Sequence, residues 1–420
     1  MDRLQLSPYL CRMAEQTFDI AIVGAGPTGA SLALGLAQSG LEVALIDARD
    51  LSQPARRDGR NFAIVTGSWR LLNGIGVAES LRETSQPLNG LEAVDGGTHW
   101  FGQPSVLFTK NDIESIDPDE PLGQMVMAEP LQARLDQALE EEARITHLTN
   151  ARFVTSRLDG GSIVAELESG NSVKAWLLVG ADGMNSPVRQ AAGIPTEGRD
   201  YQKSVFTANV HLAQPHDGIA RQLFTPEGPF ATLPLKGDRA NLAWYMKRGA
   251  AETLVKQPVE AIEAELNARF ADFSGEMKLD GAPGSYPLIL QLATALTAPR
   301  TVIIGDAARR VNPLAGQGLN QGFRDVGALI EIAQETLRLG GEIGSPQMLE
   351  AFSQARRLDG AGTALALDAI DRLFSNDHTL TKPVRTLGLL AASKISPLRR
   401  MLARKASATE DGVAGPLADW

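Results

Sequence analysis

The regular pattern of the chain begins with two short apolar runs, residues 18–23 and 43–46, that flank a segment with helical spacing from about Ala30 to Ser39. Gly40 follows this segment, at the position where a left-handed residue commonly ends a helix. Short, continuous apolar runs are typical of buried strands. The pattern therefore predicts a strand, a glycine turn, a helix and a second strand.

The next part of the chain alternates between helical and strand patterns. Residues 86–120 are rich in Gly, Pro and Asp, which favours loops with short strands. Around them, apolar residues recur at helical spacing in two segments and at strand spacing in three. The predicted helices are 68–81 and 129–143, and the predicted strands are 151–156, 163–167 and 172–179.

From residue 201 to 290 the pattern changes to strands that alternate apolar and polar residues and are separated by turns such as PEG and KGDR. This alternation predicts an antiparallel sheet, with one helix at about residues 258–270. The sheet is most simply a wall that covers a pocket, although a plain structural sheet would have the same pattern. A buried strand then ends at Gly305 and Asp306, and a long helix opens after Gly316.

These patterns predict a mixed α/β (α+β) fold with more than one lobe, since 420 residues are too many for one compact core. A Rossmann-like cofactor-binding domain is joined to an antiparallel-sheet substrate domain and to C-terminal helices. The predicted boundaries are 1–16 for an N-terminal extension, 17–85, 121–200 and 291–346 for the cofactor-binding domain, 86–120 and 201–290 for the substrate domain, and 347–420 for the C-terminal helical region.

Composition and charge exclude several classes of function. Apolar residues make up 43% of the chain, and no apolar run reaches the length of about eighteen residues that a membrane span requires. The net charge of −10 argues against a nucleic-acid partner. The single cysteine, Cys11, excludes an internal disulfide and a cysteine-cluster metal site, so no metal is predicted. A reducing, cytoplasmic setting fits these features.

Three glycines after the first apolar run, Gly24, Gly26 and Gly29, have the spacing G-x-G-x-x-G. In a dinucleotide site the first glycine makes the tight turn, the second lets a pyrophosphate approach the backbone, and the third packs the helix on the strand. The helix N-terminus offers amides and a positive dipole end to the phosphates. Asp47 follows the second strand, where a carboxylate accepts a hydrogen bond from a ribose hydroxyl. Glycine-rich turns also close ordinary joints, but here strand, helix and acid all occur where a dinucleotide needs them.

Two later stretches add candidate cofactor contacts. An Asp-Gly pair after a strand is most often a simple turn, but downstream of a dinucleotide fingerprint we interpret Asp182 and Gly183 as a second contact. Gly305 and Asp306 end another strand ahead of the long helix. The N-terminus of that helix would stabilise the negative charge that reduction places on a flavin, so a flavin is the predicted cofactor. Arg60 fits either a phosphate contact or a solvated loop, and the residues alone leave both open.

With these stretches, the sequence resembles the flavoprotein aromatic hydroxylases of the para-hydroxybenzoate-hydroxylase type, and within that group the ubiquinone-biosynthesis hydroxylases. The resemblance covers about residues 17–406. VGAGPTG matches the family's ADP-binding motif, GADGMNSPVR its Asp-Gly motif, GDAARRVNPLAGQGLNQGFRD its Gly-Asp motif and DGRNFAI its arginine segment. Three segments favour the quinone branch, namely PHDGIARQLFTPEGPFATLPL, the Trp of NLAWYM and RRLDGAGTALALDAIDRLFSND.

The resemblance implies an FAD-dependent monooxygenase that hydroxylates the aromatic ring of a polyprenylated phenol in ubiquinone biosynthesis. It implies that NAD(P)H or another electron donor reduces FAD, which reacts with molecular oxygen to give a flavin hydroperoxide. The implied cofactor-binding residues are Gly24, Gly26, Pro27, Thr28, Gly29, Asp47, Arg60, Asp182, Gly305, Asp306, Gly316, Gln317, Gly318, Leu319 and Asn320. The implied catalytic residues are Asn312, Pro313, Leu314, Ala315 and Gly316.

The chain departs from common family residues at four positions. Arg309 stands where His or Gln is common, Asn312 where His is common, and Met127 and Ala128 where a Glu-Asn pair is common. Two alternatives therefore stay open, an FAD hydroxylase of a soluble aromatic compound and a flavin-binding, inactive scaffold of a quinone-synthesis assembly. An NAD-dependent dehydrogenase is disfavoured, because the second and third cofactor stretches would have no task in it.

Residues 381–405 contain seven cations, interleaved apolar residues and no acid. This composition is typical of a helical surface on anionic lipid, and equally of a helix that packs its apolar face and leaves its cations in solvent. Pro383 and Pro397 limit any continuous amphipathic face. The first interpretation predicts peripheral contact of a cytoplasmic protein with the inner face of the membrane. The other predicted partners are a hydrophobic aromatic substrate and a ubiquinone-synthesis protein assembly.

Overall fold

The computed structural model describes residues 17–50, 59–96, 104–112, 120–310, 317–357 and 394–407. The strands are β1 (Thr17–Val23), β2 (Val43–Ile46), β3 (Asn61–Val65), β4 (Gln86–Pro87), β5 (Gly90–Asp95), β6 (Ser105–Thr109), β7 (Gly123–Met127), β8 (Ile145–Leu148), β9 (Phe153–Asp159), β10 (Ser162–Leu167), β11 (Ser172–Gly180), β12 (Thr196–Leu212), β13 (Ile219–Thr225), β14 (Gly228–Pro234), β15 (Arg239–Lys247), β16 (Met277–Leu279), β17 (Gly284–Ala293), β18 (Thr297–Ala298), β19 (Thr301–Ile303) and β20 (Arg309–Arg310). The helices are α1 (Pro27–Gln38), α2 (Thr66–Gly74), α3 (Ala78–Leu81), α4 (Ala128–Glu141), α5 (Pro187–Ala191), α6 (Arg248–Leu254), α7 (Val259–Ser274), α8 (Gln317–Arg338), α9 (346–357) and α10 (Ser396–Ser407).

The first sheet has the strand order β18-β19-β11-β1-β2-β8, and the largest buried core packs on it. β1 pairs in parallel with β11 and β2, so Ile20 lies beside Leu177 on one side and Val43 on the other. β2 is buried along its whole length, which explains its uninterrupted apolar sequence. Each large aliphatic side chain buried in this way contributes about 1.5–3 kcal/mol of transfer free energy. The strand, glycine turn, helix and second strand predicted from the apolar runs are confirmed.

α1 and α8 pack closely together in this core. A Cβ at Gly35 of α1 would collide with the side chain of Ile330 in α8, so glycine at this position allows the two helices to approach. The sequence predicted that α1 begins near Ala30. It begins at Pro27 instead, because Gly26 is the N-cap and the fixed φ of proline suits the first helical position.

The second sheet has the strand order β20-β17-β12-β15-β14-β13-β5-β6, and β16 pairs beside β12. Its pairings are antiparallel, as predicted, except that β5 runs parallel to β13 because β5 comes from a distant part of the chain rather than from a hairpin. α7 covers one face. The Phe270 ring of α7 stacks on Phe230 with centroids 3.7 Å apart and meets Trp244 edge-on at 5.0 Å. This sheet therefore has an aromatic core of its own.

A small third sheet, with the order β3-β7-β4, lies between the two larger ones. Side chains alternate across β3, so Ile64 joins the core of the first sheet while Ala63 clusters with Ala220 and Leu235 of the second. The small sheet thus connects the two halves of the molecule.

One predicted helix is divided. The spacing of residues 68–81 predicted a single helix, but α2 ends at Gly74 and α3 begins at Ala78. Gly76 between them has a φ of +77°, a left-handed conformation that ends a helix.

Within the described ranges, no helix combines the length and the apolar character needed to cross a membrane. The predicted N-terminal extension and residues 358–393 and 408–420 of the predicted C-terminal region lie outside the described residues.

Candidate functional site

The turn between β1 and α1 has the tight geometry that its glycines predict. Gly24 has a φ of +101°, and a Cβ there would lie 2.5 Å from the carbonyl oxygen of Ala181. A Cβ at Gly29 would overlap the carbonyl oxygen of Gly24. By contrast, a Cβ at Gly26 would meet no atom of the described residues within 4 Å. Two of the glycines are therefore needed for packing, whereas Gly26 keeps the helix end open to a ligand.

The N-terminus of α1 suits an anion. Gly26 provides no side-chain cap, the first turn contains no acid, and Pro27 has no amide hydrogen. The first intrahelical hydrogen bond runs from the Ala30 amide to the Gly26 carbonyl at 2.9 Å, so the amides of Thr28 and Gly29 precede it. Such amides and the helix dipole attract phosphate. This geometry fits the pyrophosphate of a dinucleotide.

Asp47 lies at the end of β2, as predicted, but Arg49 binds it. The backbone amide of Arg49 donates to Oδ1 of Asp47 at 2.9 Å, and Nε of Arg49 donates to Oδ2 at 2.6 Å. The same guanidinium group contacts Asp136 of α4 and the carbonyl of Ala25. Burial opposes the charge of Arg49, yet its hydrogen bonds to Asp136 and Asp47 outweigh this effect and raise its pKa.

The sequence analysis missed this cluster of Arg49 and Asp136 at the glycine turn. Gln132, one helical turn before Asp136, also donates to the Ala25 carbonyl, at 3.0 Å. The signal that could have revealed them is a polar i, i+4 pair in α4 beside the buried Leu131 and Leu135.

Asp182 leaves a buried acceptor for a ligand. Its Oδ2 accepts a hydrogen bond from the Val188 amide at 3.0 Å, whereas its Oδ1 is buried without a hydrogen-bond partner among the residues that the structure describes. Burial raises the pKa of Asp182, and hydrogen bonds from Ser186 and Val188 only partly offset this. Gly183 has a φ of +82°, as its turn requires. A buried carboxylate oxygen without a partner is costly, and a ligand hydroxyl would satisfy it.

Arg189 joins the second cofactor stretch to the third. Its side chain is buried, and its guanidinium group donates to the carbonyl of Ala307 at 2.7 Å and to that of Met184 at 2.9 Å. The motif contained this arginine, but the sequence did not indicate its partners.

The third stretch meets the first at Gly305. This residue has a φ of +59°, and a Cβ there would lie 3.3 Å from the Thr28 side chain of α1. The next residue, Asp306, has a solvent-accessible side chain. The protein packed around Asp306 raises the pKa of its carboxyl, although the charges of Arg310 and Arg60 act in the opposite direction. The positive charge of Arg60 therefore acts on the Gly-Asp stretch.

The first turn of α8 contains Asn320, whose side chain has a structural partner. Its Oδ1 accepts a hydrogen bond from the Val65 amide at 3.1 Å, and its Nδ2 donates to the Ala63 carbonyl at 2.7 Å. These bonds tie α8 to β3, so a cofactor contact of Asn320 would use its backbone. Leu319 likewise packs against the main core, whereas a Cβ at Gly318 would meet no atom of the described part of the chain within 4 Å. The predicted catalytic residues Asn312, Pro313, Leu314, Ala315 and Gly316 lie outside the described residues.

An apolar cavity of about 200 Å³ lies between β3 and the second sheet. Its walls include Ala63 and Val65 of β3, Ala231 of β14 and Tyr245 of β15. Arg221 also lines it, but its Nε lies 3.2 Å from a carboxylate oxygen of Glu92, which balances its charge. Two residues of α10, Ala403 and Ser407, complete the lining. An apolar pocket with few polar groups is typical of a small-molecule site.

The two histidines of the second sheet have structural partners. His216 bonds the Leu235 carbonyl at 2.8 Å and accepts from the Gly218 amide at 2.9 Å, while His211 contacts Asp238 at 3.0 Å. Neither histidine lines the cavity.

Sequence similarity assigns the chain to a known protein family. Residues 17–363 match the family described as FAD binding domain. The chain belongs to this family of FAD-dependent monooxygenases. It is 36% identical over 398 residues to the ubiquinone hydroxylase UbiL of Rhodospirillum rubrum, covering 94% of this chain and 91% of that protein. It is 33% identical over 395 residues to the 3-demethoxyubiquinol 3-hydroxylase of Escherichia coli, covering 92% of this chain and 98% of that protein.

A solved structure has the same fold as this FAD-dependent monooxygenase. The p-nitrophenol 4-monooxygenase PnpA of Pseudomonas putida superposes with a TM-score of 0.74 at 18% identity, over 93% of this chain and 98% of that one. These matches confirm the predicted fold class, the family and the use of FAD and molecular oxygen.

Proposed function

We propose that this monooxygenase hydroxylates the aromatic ring of a polyprenylated phenol in ubiquinone biosynthesis. The apolar cavity carries the proposal, because its walls suit a phenol ring and its hydrocarbon substituent better than an anionic substrate. It borders β3, which Asn320 fastens to the helix after the Gly-Asp stretch. The names of the two relatives, a ubiquinone hydroxylase and a demethoxyubiquinol hydroxylase, support the same substrate class.

The residues at the three stretches fit FAD. In our proposal the amides around Gly26, Thr28 and Gly29 hold the pyrophosphate, Asp47 accepts from the ribose, and Asp182 and Asp306 accept from further hydroxyls. The open space at Gly26 and the unpartnered Oδ1 of Asp182 support this assignment. We assign the remaining contacts to Gly24, Pro27, Arg60, Gly305, Gly316, Gln317, Gly318, Leu319 and Asn320.

The bound FAD supplies the oxygen-activating chemistry, with electrons from NAD(P)H or another donor. The chain itself binds and orients the ring, and it excludes water from the apolar cavity. We assign the positioning of the ring next to FAD to the segment from Asn312 to Gly316, which follows β20.

We further propose that the three segments 17–85, 121–200 and 291–346 form the FAD-binding domain, and that 86–120 and 201–290 form the substrate domain. The first sheet draws its strands from the former set and the second sheet mostly from the latter, which supports this division. β20 is an exception, because it pairs with β17 of the second sheet although it follows the Gly-Asp stretch, and β12 and β17 each extend a few residues beyond the proposed boundaries.

We also propose that α10 contacts the inner face of the membrane, where an apolar substrate is dissolved. Arg399 pairs with the buried Asp112 at 2.6 Å, and Ala403 is buried, so one side of α10 packs on the protein. Met401 is 56% exposed and Leu402 38% exposed on other sides of the helix. An exposed apolar surface beside cations supports lipid contact. A ubiquinone-synthesis protein assembly is the other partner that this exposed surface would suit.

The test is oxygen uptake by the FAD-loaded enzyme with a prenylated phenol, NADH as donor and mass spectrometry of the product. We expect a product heavier by one oxygen atom, and loss of ubiquinone in cells from which the gene is deleted. Turnover of an unprenylated aromatic acid but not of the prenylated phenol would contradict the proposal and favour a soluble substrate.

A further inference from the structure

A fully buried carboxylate lies behind the Gly-Asp stretch. Asp325 of α8 is 0% exposed, and two nearly buried arginines, Arg309 and Arg356, contact it. Nη1 of Arg309 and Nε of Arg356 each donate to Oδ1 of Asp325 at 2.7 Å. Arg356 also donates to Gln321 at 3.2 Å. We call Arg309, Asp325 and Arg356 the buried triad.

The second oxygen of Asp325 contacts the cofactor stretch directly. Its Oδ2 accepts a hydrogen bond from the Gly305 amide at 2.9 Å. Gly305 has a left-handed φ of +59°, packs beside Thr28 of the first stretch, and precedes Asp306. One carboxylate therefore links the turn at Gly305 to α8 and, through its arginines, to β20 and α9.

Stability alone gives a weak reason for such a triad. Removing three charges from water is expensive, and replacing a whole buried ion cluster by apolar side chains is often neutral or stabilising. Burial opposes ionisation of Asp325, but the two guanidinium groups outweigh it and hold the pKa of its carboxyl below the usual value. The carboxylate thus stays charged, and a charged acceptor makes a stronger bond to an amide than a neutral one.

We propose that Asp325 is a positioning residue of the FAD site, which fixes the Gly305 amide and hence Asp306 while Arg309 and Arg356 hold its carboxylate in place. Arg309, which differs from the common family residue, acts in this account through Asp325 rather than on the substrate. The proposal depends on FAD binding and is independent of which phenol the enzyme hydroxylates.

Single substitutions would not test this proposal. Asp325→Ala alone leaves two buried guanidinium groups without their acceptor, and such a loss can unfold the protein. Two triple variants remove all three charges together. Both carry Arg309→Met and Arg356→Met; one adds Asp325→Asn, which keeps an oxygen acceptor for the Gly305 amide, and the other adds Asp325→Leu, which removes it.

The measurement is the Kd for FAD of each apo-protein by isothermal titration calorimetry, with the melting temperature and the visible circular dichroism of the bound flavin. We expect both variants to fold. The Asn variant should bind FAD within about threefold of the unsubstituted protein, and the Leu variant at least about tenfold more weakly with an altered flavin spectrum, a difference of about 1.4 kcal/mol. If the Leu variant fails to fold, Asp325→Val is combined with the same two arginine substitutions. We expect this variant to bind FAD at least about tenfold more weakly as well.

The matched control lies on the same helix. Glu335 and Arg338 form an exposed ion pair in α8, and Glu335→Gln with Arg338→Met should change neither the Kd nor the flavin spectrum. An unchanged Kd in a folded Leu or Val variant would overturn the proposal. Equal losses of FAD affinity in the Asn and Leu variants would also overturn it, because the hydrogen bond to the Gly305 amide would then make no difference to FAD binding. Hydroxylation of a phenol is not part of the readout, so failure here is distinct from failure of the proposed substrate.

Discussion

The two halves of the molecule recognise their ligands in different ways. The half around the first sheet uses short motifs, in which glycines, helix amides and single carboxylates stand at fixed spacings, as at Gly24, Gly26 and Asp182. The half around the second sheet uses an apolar cavity, whose walls come from strands that are distant in sequence, such as β3 and β14. The cofactor end thus depends on backbone shape, and the substrate end depends on packing.

The largest effect should come from the glycine turn. Gly29→Val places side-chain atoms on the Gly24 carbonyl, so we expect a loss of stability of about 1–3 kcal/mol or more together with loss of FAD. Thermal melting of the apo-protein and FAD titration measure the two effects.

Gly26→Val is the matched control for Gly29→Val. Residue 26 has a φ of −67°, which any residue adopts, and the Cβ of a valine there would meet no atom within the described ranges of the chain. We expect the fold to be retained and FAD affinity to fall at least about tenfold, or about 1.4 kcal/mol. Equal falls in the melting temperature of the two apo-protein variants would contradict the distinction between a packing glycine and a ligand-facing glycine.

The next effect concerns the cavity. Ala231→Phe fills space beside the wall at Tyr245 and leaves less room for the substrate, so kcat/KM for the prenylated phenol should fall about tenfold or more, which corresponds to about 1.4 kcal/mol of transition-state stabilisation. FAD affinity should stay the same, since the cofactor motifs are elsewhere. Ala250→Phe, on an exposed position of α6, is the control. A fall in FAD affinity without a change in kcat/KM would show that the cavity belongs to the cofactor site and not to the substrate site.

A smaller effect should come from Asp182, and it depends on pH. Because the pKa of its carboxyl is raised in the folded apo-protein, its contribution to stability is full at low pH and is lost as the pH rises through the folded pKa. Asp182→Asn stays neutral, so the variant should gain stability over the unsubstituted apo-protein as the pH rises. Melting curves of both apo-proteins between about pH 4 and pH 8 check this expectation. Parallel curves at all pH values would contradict it.

At higher pH, FAD should act against the stability difference between those two proteins. If Oδ1 of Asp182 accepts from a cofactor hydroxyl, FAD stabilises the unsubstituted protein more than the Asn variant, by about 0.5–1.5 kcal/mol. Equal stabilisation by FAD would show that this oxygen does not contact the cofactor.

The smallest effect concerns α10. Met401→Ser with Leu402→Ser should weaken co-sedimentation with anionic liposomes, and Arg400→Gln should cost about 1 kcal/mol at low salt and less at high salt. Arg399 is left unchanged because it pairs with Asp112. Val154→Ser with Leu158→Ser, two exposed apolar residues of β9, is the control. Identical sedimentation of all variants would leave α10 as a packing element only.

The sequence predicts local chemistry well. The strand before Gly24, the turn at Gly183 and the strand before Gly305 each lie within a few residues of the group that they position, so spacing alone reveals them. Local spacing also explains the wrong prediction at residues 68–81. The apolar spacing continues across Gly76, but the left-handed φ of Gly76 divides the helix.

Contacts between distant parts of the chain could not be predicted in this way. Arg49 and Asp136 are 87 residues apart, and no local pattern says that their side chains meet. Arg309 lies within a family motif and departs from the residue common there, but the sequence does not indicate that its side chain is buried against Asp325. The walls of the cavity are equally non-local, since β3 and β14 become neighbours only in the folded sheets.

The bonds of Asn320 have a consequence for how the protein is made. They join α8 to residues of β3 that lie 255 and 257 positions earlier in the chain. A ribosome that adds about 5–20 residues per second completes β3 some 10–50 s before it completes the residue that fastens it. During that interval the glycine turn exists without the helix that packs against it, so a nascent chain has the fingerprint of a nucleotide site but lacks the third stretch. We therefore expect loading of the flavin to be a late event of biosynthesis, and truncated translation products to lack FAD.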